Sequence, residues 1–194
     1  QHGGLFLSAQ GASQLDLTAA SSTFVLEIAG ALGSREFSFA SGTNLSAVTA
    51  GINTFKSVVG VSATVSGTGI VLKSLEYGSN EFVSVNVVDD GGQAGSLYRL
   101  TATDENSADT GTGTAYSAAT SAIRDDGQNV GVIINGISAT SQGRTARVNT
   151  DFLDMSLELT ETGATTLGGL TAFHITGGGA KFNIGSSVNL TNQV

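Results

Sequence analysis

Residues 45–74 read LSAVTAGINTFKSVVGVSATVSGTGIVLKS, and the spacing of their apolar residues changes from helical to extended. In the first half, apolar side chains recur every three or four positions, as on one face of an α-helix: Leu45, Val48, Ile52 and Phe55. Thr43 or Asn44 can supply the N-cap oxygen, and Gly60 is placed to end the helix as a left-handed C′ residue. The pattern therefore predicts one helix over about residues 44–58.

Strands are predicted on both sides of this helix. Before it, Phe24, Leu26 and Ile28 alternate with Glu27, so one face of a strand is apolar. The other segments with strand-like alternation are 35–40, 61–65, 70–72 and 82–88. Residues 23–88 therefore read β-β-α-β-β-β, which predicts an α+β unit with one helix over a small sheet.

The clearest turn in the chain is Asp-Asp-Gly-Gly at 89–92, and we predict a domain boundary there. It separates an α+β unit over residues 1–90 from a second unit over residues 91–194. In the first unit, the short apolar segments 5–7 and 15–17 fit edge strands.

The second unit is predicted to be mainly antiparallel β. Residues 101–121 are rich in Thr, Ala, Ser, Asp and Gly, and they favour a long loop. Asn135-Gly136 is the strongest hairpin dipeptide in the chain. Further strands are expected at 146–148, 153–159, 173–175 and 182–184. The fold class predicted for the whole chain is α+β, mostly β.

Composition excludes several classes of function. The 194 residues contain no Cys, which rules out thiolate metal sites, thiol redox motifs and thiol catalysis. The net charge of −8 opposes binding to nucleic acid and to anionic membranes, and no apolar run is long enough to span a bilayer. The chain begins at Gln1 without an initiator Met or signal-peptide features, so we interpret it as a piece of a longer protein.

Few side chains are suited to catalysis. His2 and His174 are the two histidines, and we interpret both as surface or rim residues. A serine nucleophile elbow before a helix is missing, so a Ser-His-Asp triad lacks its parts. Residues 177–181, Gly-Gly-Gly-Ala-Lys, have a superficial likeness to a phosphate loop, but the spacing is wrong and a tight β-turn is favoured. We predict no catalytic and no cofactor-binding residue.

Acidic residues give two further candidates. Asp104, Asn106 and Asp109 share one loop, but their spacing is not that of an EF-hand, and only a weak ion site is conceivable. Asp125-Asp126-Gly127 and the Asp-Asp-Gly at 89–91 are interpreted as turns. Aromatic residues make up 6% and Trp is absent, which disfavours a sugar-binding cleft with paired catalytic carboxylates. No metal-ligating residue is predicted.

The segment 23–88 resembles the flagellin IN motif through the order of its short sequence words. These words are LSAVTAGIN at 45–53, GVSA at 60–63, IVLKS at 70–74 with Gly78 after it, and FVSV at 82–85. The second half is similar to the outer region of large flagellins through two words. They are ING at 134–136 and FHITGGGAKFNIG at 173–185.

This resemblance implies an extracellular, non-enzymatic domain on the outside of a bacterial flagellar filament, with other flagellin subunits as partners. Flagellar cap and hook-associated proteins share the IN motif, so they are the alternative, together with an adhesin-like module that binds surface glycans. A filament-borne enzyme using acidic residues is a third, weaker hypothesis. The sequons at Asn44 and Asn189 and the many Ser and Thr residues would permit glycosylation, although capping explains Asn44 better.

Overall fold

Two antiparallel sheets and a pair of short helices are the main elements between Gly4 and Asp126. The computed structural model describes residues 1–9, 22–101, 104–151, 153–165 and 168–169. The first sheet has five strands in the order β4-β5-β1-β7-β8, and the second has four in the order β3-β2-β6-β9. The strands are β1 (Gly4–Ser8), β2 (Thr23–Gly30), β3 (Gly33–Ala40), β4 (Val61–Ser66), β5 (Gly69–Ser74), β6 (Phe82–Asp89), β7 (Ser96–Arg99), β8 (Thr114–Ala115) and β9 (Ile123–Asp126).

Two helices connect an edge strand of one sheet to an edge strand of the other. Helix α1 (Leu45–Asn53) packs against β3, β4 and β5, and helix α2 (Lys56–Val59) packs against β2, β3 and β4. One core cluster contains the apolar faces of both sheets and of the helices. Its fully buried side chains include Leu5, Leu26, Ile28, Ile52, Leu72, Leu97, Val59, Val61, Val83 and Val85. Burial of each stabilises the fold by roughly 1.5–3 kcal/mol before entropy is counted.

The predicted fold class, α+β and mostly β, is confirmed. The predicted helix, however, is two helices. Asn44 is the N-cap, and its Oδ1 accepts a hydrogen bond from the N–H of Ala47 at 2.7 Å. Phe55 interrupts the helix with φ −111° and ψ 14°, and its ring lies 6.1 Å from that of Phe37. Gly60 ends α2 with φ +84°, as the sequence predicted.

The prediction of one small sheet under the helix is wrong, because the strands of residues 23–88 divide between two sheets. The prediction that residues 5–7 form an edge strand is also wrong. Strand β1 is central, pairing with β5 on one side and with β7 on the other, and Leu5 and Leu7 are buried. Periodicity defines which face of a strand is apolar, whereas it contains no information about the neighbouring strand. Residues 15–17 lie outside the described residues.

Strands after the turn at 89–92 join both sheets. Strands β7 and β8 extend the five-stranded sheet from β1, and β9 pairs with β6 in the other sheet. The stretch 101–121, predicted as a long loop, includes β8 and two 3-10 turns, Thr110–Thr112 and Tyr116–Ala118. Tyr116 anchors it, since its ring is buried and its hydroxyl donates to the Ser8 carbonyl at 2.7 Å.

The C-terminal part contains a short hairpin and a three-stranded antiparallel sheet. Asn135-Gly136 turns the hairpin with φ +51° and +83°, which confirms this dipeptide as a type I′-like turn. The elements of the C-terminal part are β10 (Ile133–Ile134), β11 (Ile137–Ser138), β12 (Thr140–Gln142), β13 (Thr145–Asn149), β14 (Asp154–Glu158) and α3 (Glu161–Thr165). The strands predicted at 173–175 and 182–184 lie outside the described residues.

Candidate functional site

One side chain of helix α1 pairs with the outer edge of β4 at Ala63. The Asn53 amide Nδ2 donates to the carbonyl of Ala63 at 2.8 Å, and its Oδ1 accepts from the N–H of Ala63 at 2.8 Å. A primary amide offers a donor and an acceptor side by side, as a neighbouring strand does. We call this pair of bonds the Asn53 clasp. It satisfies the N–H and C=O of Ala63, which would otherwise be open to another strand.

The clasp joins two of the sequence words that carry the resemblance to the IN motif, those at 45–53 and 60–63. Ile52, directly before Asn53, is buried in the core, and Val61 and Ala63 are the buried residues of β4. Gly60 has a φ that disfavours other residues, and it immediately precedes β4. Sequence reasoning found these words but missed the two bonds of Asn53. The available signal was an Asn at the end of a helix, ten residues before Ala63 of an alternating apolar strand.

A second feature is the end of the β2–β3 hairpin, which rests on α2. The N–H of Leu32 donates to the Val59 carbonyl at 3.4 Å. Gly30 lets the two segments approach, because a Cβ there would lie 2.5 Å from the Val59 carbonyl oxygen. Leu32 and Val58 nevertheless stay 64% and 54% exposed. The end of the hairpin therefore packs closely against α2, and two apolar side chains remain exposed there.

His2 lies in a polar junction at the start of β1. Its Nδ1 is 3.0 Å from the Glu76 carbonyl, and its ring centroid is 3.8 Å from that of Tyr77. Burial lowers the pKa of His2, while the nearby Glu105 carboxylate opposes that shift. Glu105 also accepts from the His2 N–H at 3.0 Å and lies 3.9 Å from the Lys73 ammonium. These contacts hold the residue in place and engage the ring Nδ1 with a backbone carbonyl.

Asn129 joins this junction to the C-terminal sheet. Its Oδ1 accepts from the N–H groups of Ser79 and Gly143, at 3.0 and 2.8 Å. Its Nδ2 donates to the Ser79 hydroxyl at 3.0 Å. Gly143 sits between β12 and β13, and the Arg144 guanidinium lies 4.8 Å from the centre of the Tyr77 ring. One amide side chain therefore ties the turn of a C-terminal hairpin to the loop between β5 and β6.

The loop carboxylates at 104 and 109 serve separate local purposes. Asp104 accepts from the Asn106 N–H at 2.9 Å and from the Ser107 hydroxyl, and the Ser107 bond lowers the pKa of Asp104. Asn106 Oδ1 accepts from the Lys73 ammonium at 3.0 Å. Asp109 caps a 3-10 turn through the Gly111 N–H at 3.0 Å. The two carboxylates thus have different partners, and the structure does not bring them together with Asn106 around one point.

The prediction that Asp125 and Asp126 belong to a turn is wrong, because both lie in β9. Half-buried Asp125 accepts from the Gly4 N–H at 2.9 Å, and burial raises the pKa of its carboxyl. Exposed Asp126 pairs with Arg124 at 2.6 Å. The other Asp-Asp-Gly, at 89–91, is a turn as predicted: its two carboxylates accept from the N–H groups of residues 91 and 92.

A shallow cavity of about 390 Å³ lies beside the β10–β11 hairpin. Its lining is Ile137, Ser138, Thr140, Arg147, Val148 and Asn149, and the ionisable member, Arg147, pairs with Asp154 at 3.0 Å. Among the described residues, no three of His, Asp and Glu gather as a metal site would require. None of the helices in those ranges is long and apolar enough to cross a membrane. His174, the Gly-rich segment 177–181 and Asn189 lie outside the described residues.

No protein-family model matches the chain, and no curated protein matches it. Solved structures do match. The D2–D3 domains of the flagellar cap protein FliD from Serratia marcescens align with a TM-score of 0.37 and 17% identity, covering 82% of this chain and 87% of that one. FliD from Bdellovibrio bacteriovorus aligns with a TM-score of 0.27 and 12% identity, covering 65% of this chain and 86% of that one.

Proposed function

We propose that this chain is an outer, non-enzymatic structural domain of an extracellular bacterial flagellar protein, with flagellin as the first candidate. The observation that carries the proposal is the Asn53 clasp. Words that are separate in the sequence, at 52–53 and 60–63, form one structural device in the fold. That physical unity supports treating their ordered occurrence as a motif instead of a coincidence of short words.

The use of the polar groups also supports a structural role. Ionisable side chains that a catalytic hypothesis would need are bound to backbone groups or to opposite charges: His2, Asp104, Asp109, Asp125 and Asp126. General acid–base catalysis needs such groups to face a substrate in a cleft. The partners that we propose are other subunits of the same polymer. In the adhesin-like alternative, the partners are surface glycans.

A flagellar cap or hook-associated protein is the second candidate, because those proteins share the motif that the clasp explains. Immunogold electron microscopy with antibodies against this chain distinguishes the candidates on source cells. Label along the whole filament is the expected result for flagellin. Label confined to the filament tip or to the hook junction would replace it with the second candidate. Label that is absent from every flagellar structure would overturn the proposal.

A further inference from the structure

We propose that the exposed end of the β2–β3 hairpin and α2 is a self-association surface that binds the acidic outer face of the four-stranded sheet in a second copy of this chain. We call the first surface the apolar tip and define it by Leu32, Arg35, Lys56 and Val58. The acidic face is defined by Glu27 and Glu36. The inference deepens the proposed structural role and rests on it for its biological setting.

The apolar tip combines exposed hydrophobic surface with a closely packed, hydrogen-bonded backbone. Leu32 and Val58 lie on backbone segments that are in direct contact, since the N–H of Leu32 donates to the Val59 carbonyl and a Cβ on Gly33 would lie 3.1 Å from the Val58 carbonyl oxygen. Both are more than half exposed. Contiguous apolar residues on an ordered surface are typical of protein contact sites, and rigidity limits the entropy lost on binding.

The charges beside these two residues favour a partner surface that is negatively charged. The chain carries 8 basic and 16 acidic residues, so unpaired positive charge is scarce on its surface. Lys73, Arg124, Arg144 and Arg147 form ion pairs. Arg35, Lys56 and Arg99 form none with any described residue. Of these three, Arg35 and Lys56 belong to the tip, and the Arg35 guanidinium lies 3.5 Å above the Phe55 ring. The tip thus presents two cations next to apolar side chains on an acidic molecule.

The complementary surface is found on the same chain. Glu27 and Glu36 are directly opposite each other across β2 and β3. Like charges in this position repel, and an external cation would relieve the repulsion. Because successive strand residues point to opposite faces, Arg35 and Glu36 of one molecule project from opposite faces of the sheet. The cations of one copy can meet the glutamates of another.

The tip and the acidic face are different surfaces, so their contact is heterologous and can repeat from copy to copy. A contact formed by the residues that define the tip and the acidic face is smaller than a standard stable interface. We therefore expect weak association of the isolated chain, with a dissociation constant of roughly 0.1–1 mM. In a polymer, the same contact is strengthened because neighbouring copies are already held close together.

Sedimentation equilibrium of the full chain, from about 10 µM to about 1 mM, tests the proposal. Association is expected to weaken when salt is raised, because the facing charges are screened. Lys56→Glu and Glu36→Lys should each weaken it about tenfold or more, and the chain carrying both changes should recover most of the wild-type affinity. Leu32→Ser combined with Val58→Ser should abolish it. These residues are exposed, and circular dichroism confirms that each variant is folded.

Ile133→Ser is the matched control, since Ile133 is 72% exposed on the β10–β11 hairpin, away from both surfaces. It should leave association unchanged. A wild-type chain that remains monomeric at about 1 mM would overturn the self-association proposal, as would loss of association in Ile133→Ser but not in the tip variants. Neither result bears on the flagellar location, which the labelling experiment tests separately.

Discussion

Asn53 is expected to stabilise the fold through its two hydrogen bonds to Ala63. Replacing it with Ala removes two hydrogen bonds to Ala63 and leaves two half-buried backbone groups without partners, which costs about 1–3 kcal/mol. Urea unfolding measures the loss. Asn80→Ala, at an exposed position in the loop after β5, is the control and should change stability by less than about 0.5 kcal/mol. An equal effect of the two changes would contradict the role given to the clasp.

Asn53→Asp gives the same site a pH dependence. A carboxylate would face the Ala63 carbonyl oxygen and could not donate, so the folded-state pKa of this Asp should rise above its unfolded value. The variant should therefore be closest to wild type below about pH 3.9 and lose stability as pH rises through the raised pKa. Urea midpoints of variant and wild type at about pH 3 and pH 7 check this. A constant difference between them would refute it.

Asp125 has a raised pKa in the native protein, with burial as the main cause. The unfolded chain therefore ionises this group at lower pH, and its contribution to stability is lost as pH rises through the folded-state pKa. Asp125→Asn cannot ionise, and its Oδ1 can still accept from Gly4. The variant should be as stable as wild type below pH 3.8. Above the folded-state pKa it should be more stable by less than about 1 kcal/mol, because solvent screens a half-exposed group. A destabilised variant at pH 7 would contradict this.

At the residue scale, sequence reasoning succeeded where chemistry is local. The C′ residue Gly60 and the turns at 89–92 and Asn135-Gly136 follow from side-chain hydrogen bonding and positive φ, and Asn44 is one of the two predicted N-cap candidates. The clasp could not be derived in the same way, because Asn53 bonds to a strand whose position depends on the completed sheet.

At the scale of elements, the connection between α2 and β4 depends on a glycine. Gly60→Ala should cost about 1–2 kcal/mol for its left-handed φ and about 1 kcal/mol more, because the new Cβ would lie 3.2 Å from Leu32 N and Cγ. Gly42 also has positive φ, but a Cβ there meets nothing within 4 Å. Gly42→Ala should therefore cost only the conformational part. Thermal unfolding of both variants measures the difference, and equal losses would refute the packing contribution.

The helix shows why elements are predicted better than their interruptions. The apolar spacing from Leu45 to Phe55 fits one helix, yet Phe55 leaves the helical path. Its ring packs against Phe37 and under the Arg35 guanidinium, both on β3. These tertiary contacts compensate for the helical hydrogen bonds lost at the interruption. The apolar spacing along one helix gives no information about such contacts.

At the scale of the molecule, Asn129 connects the C-terminal sheet to the rest. Asn129→Ala removes three hydrogen bonds and should lower the opening free energy of β12–β14 by about 1–2 kcal/mol. Hydrogen exchange should become faster in β12–β14 while the amides of β1, β5 and β6 keep their protection. Asn80→Ala is again the matched control. Uniformly faster exchange across both regions would show that the two regions open together.

The central position of β1 has a consequence for how the chain folds. Leu5 pairs with Leu72 and with Arg99, so the five-stranded sheet is completed only when distant parts of the chain meet. The entropy of closing such long loops is lost before the pairing is gained, which makes the topology one of high contact order. Folding is therefore expected on the millisecond-to-second scale typical of β domains. Until β1 inserts, β5 and β7 present bare edges to other chains.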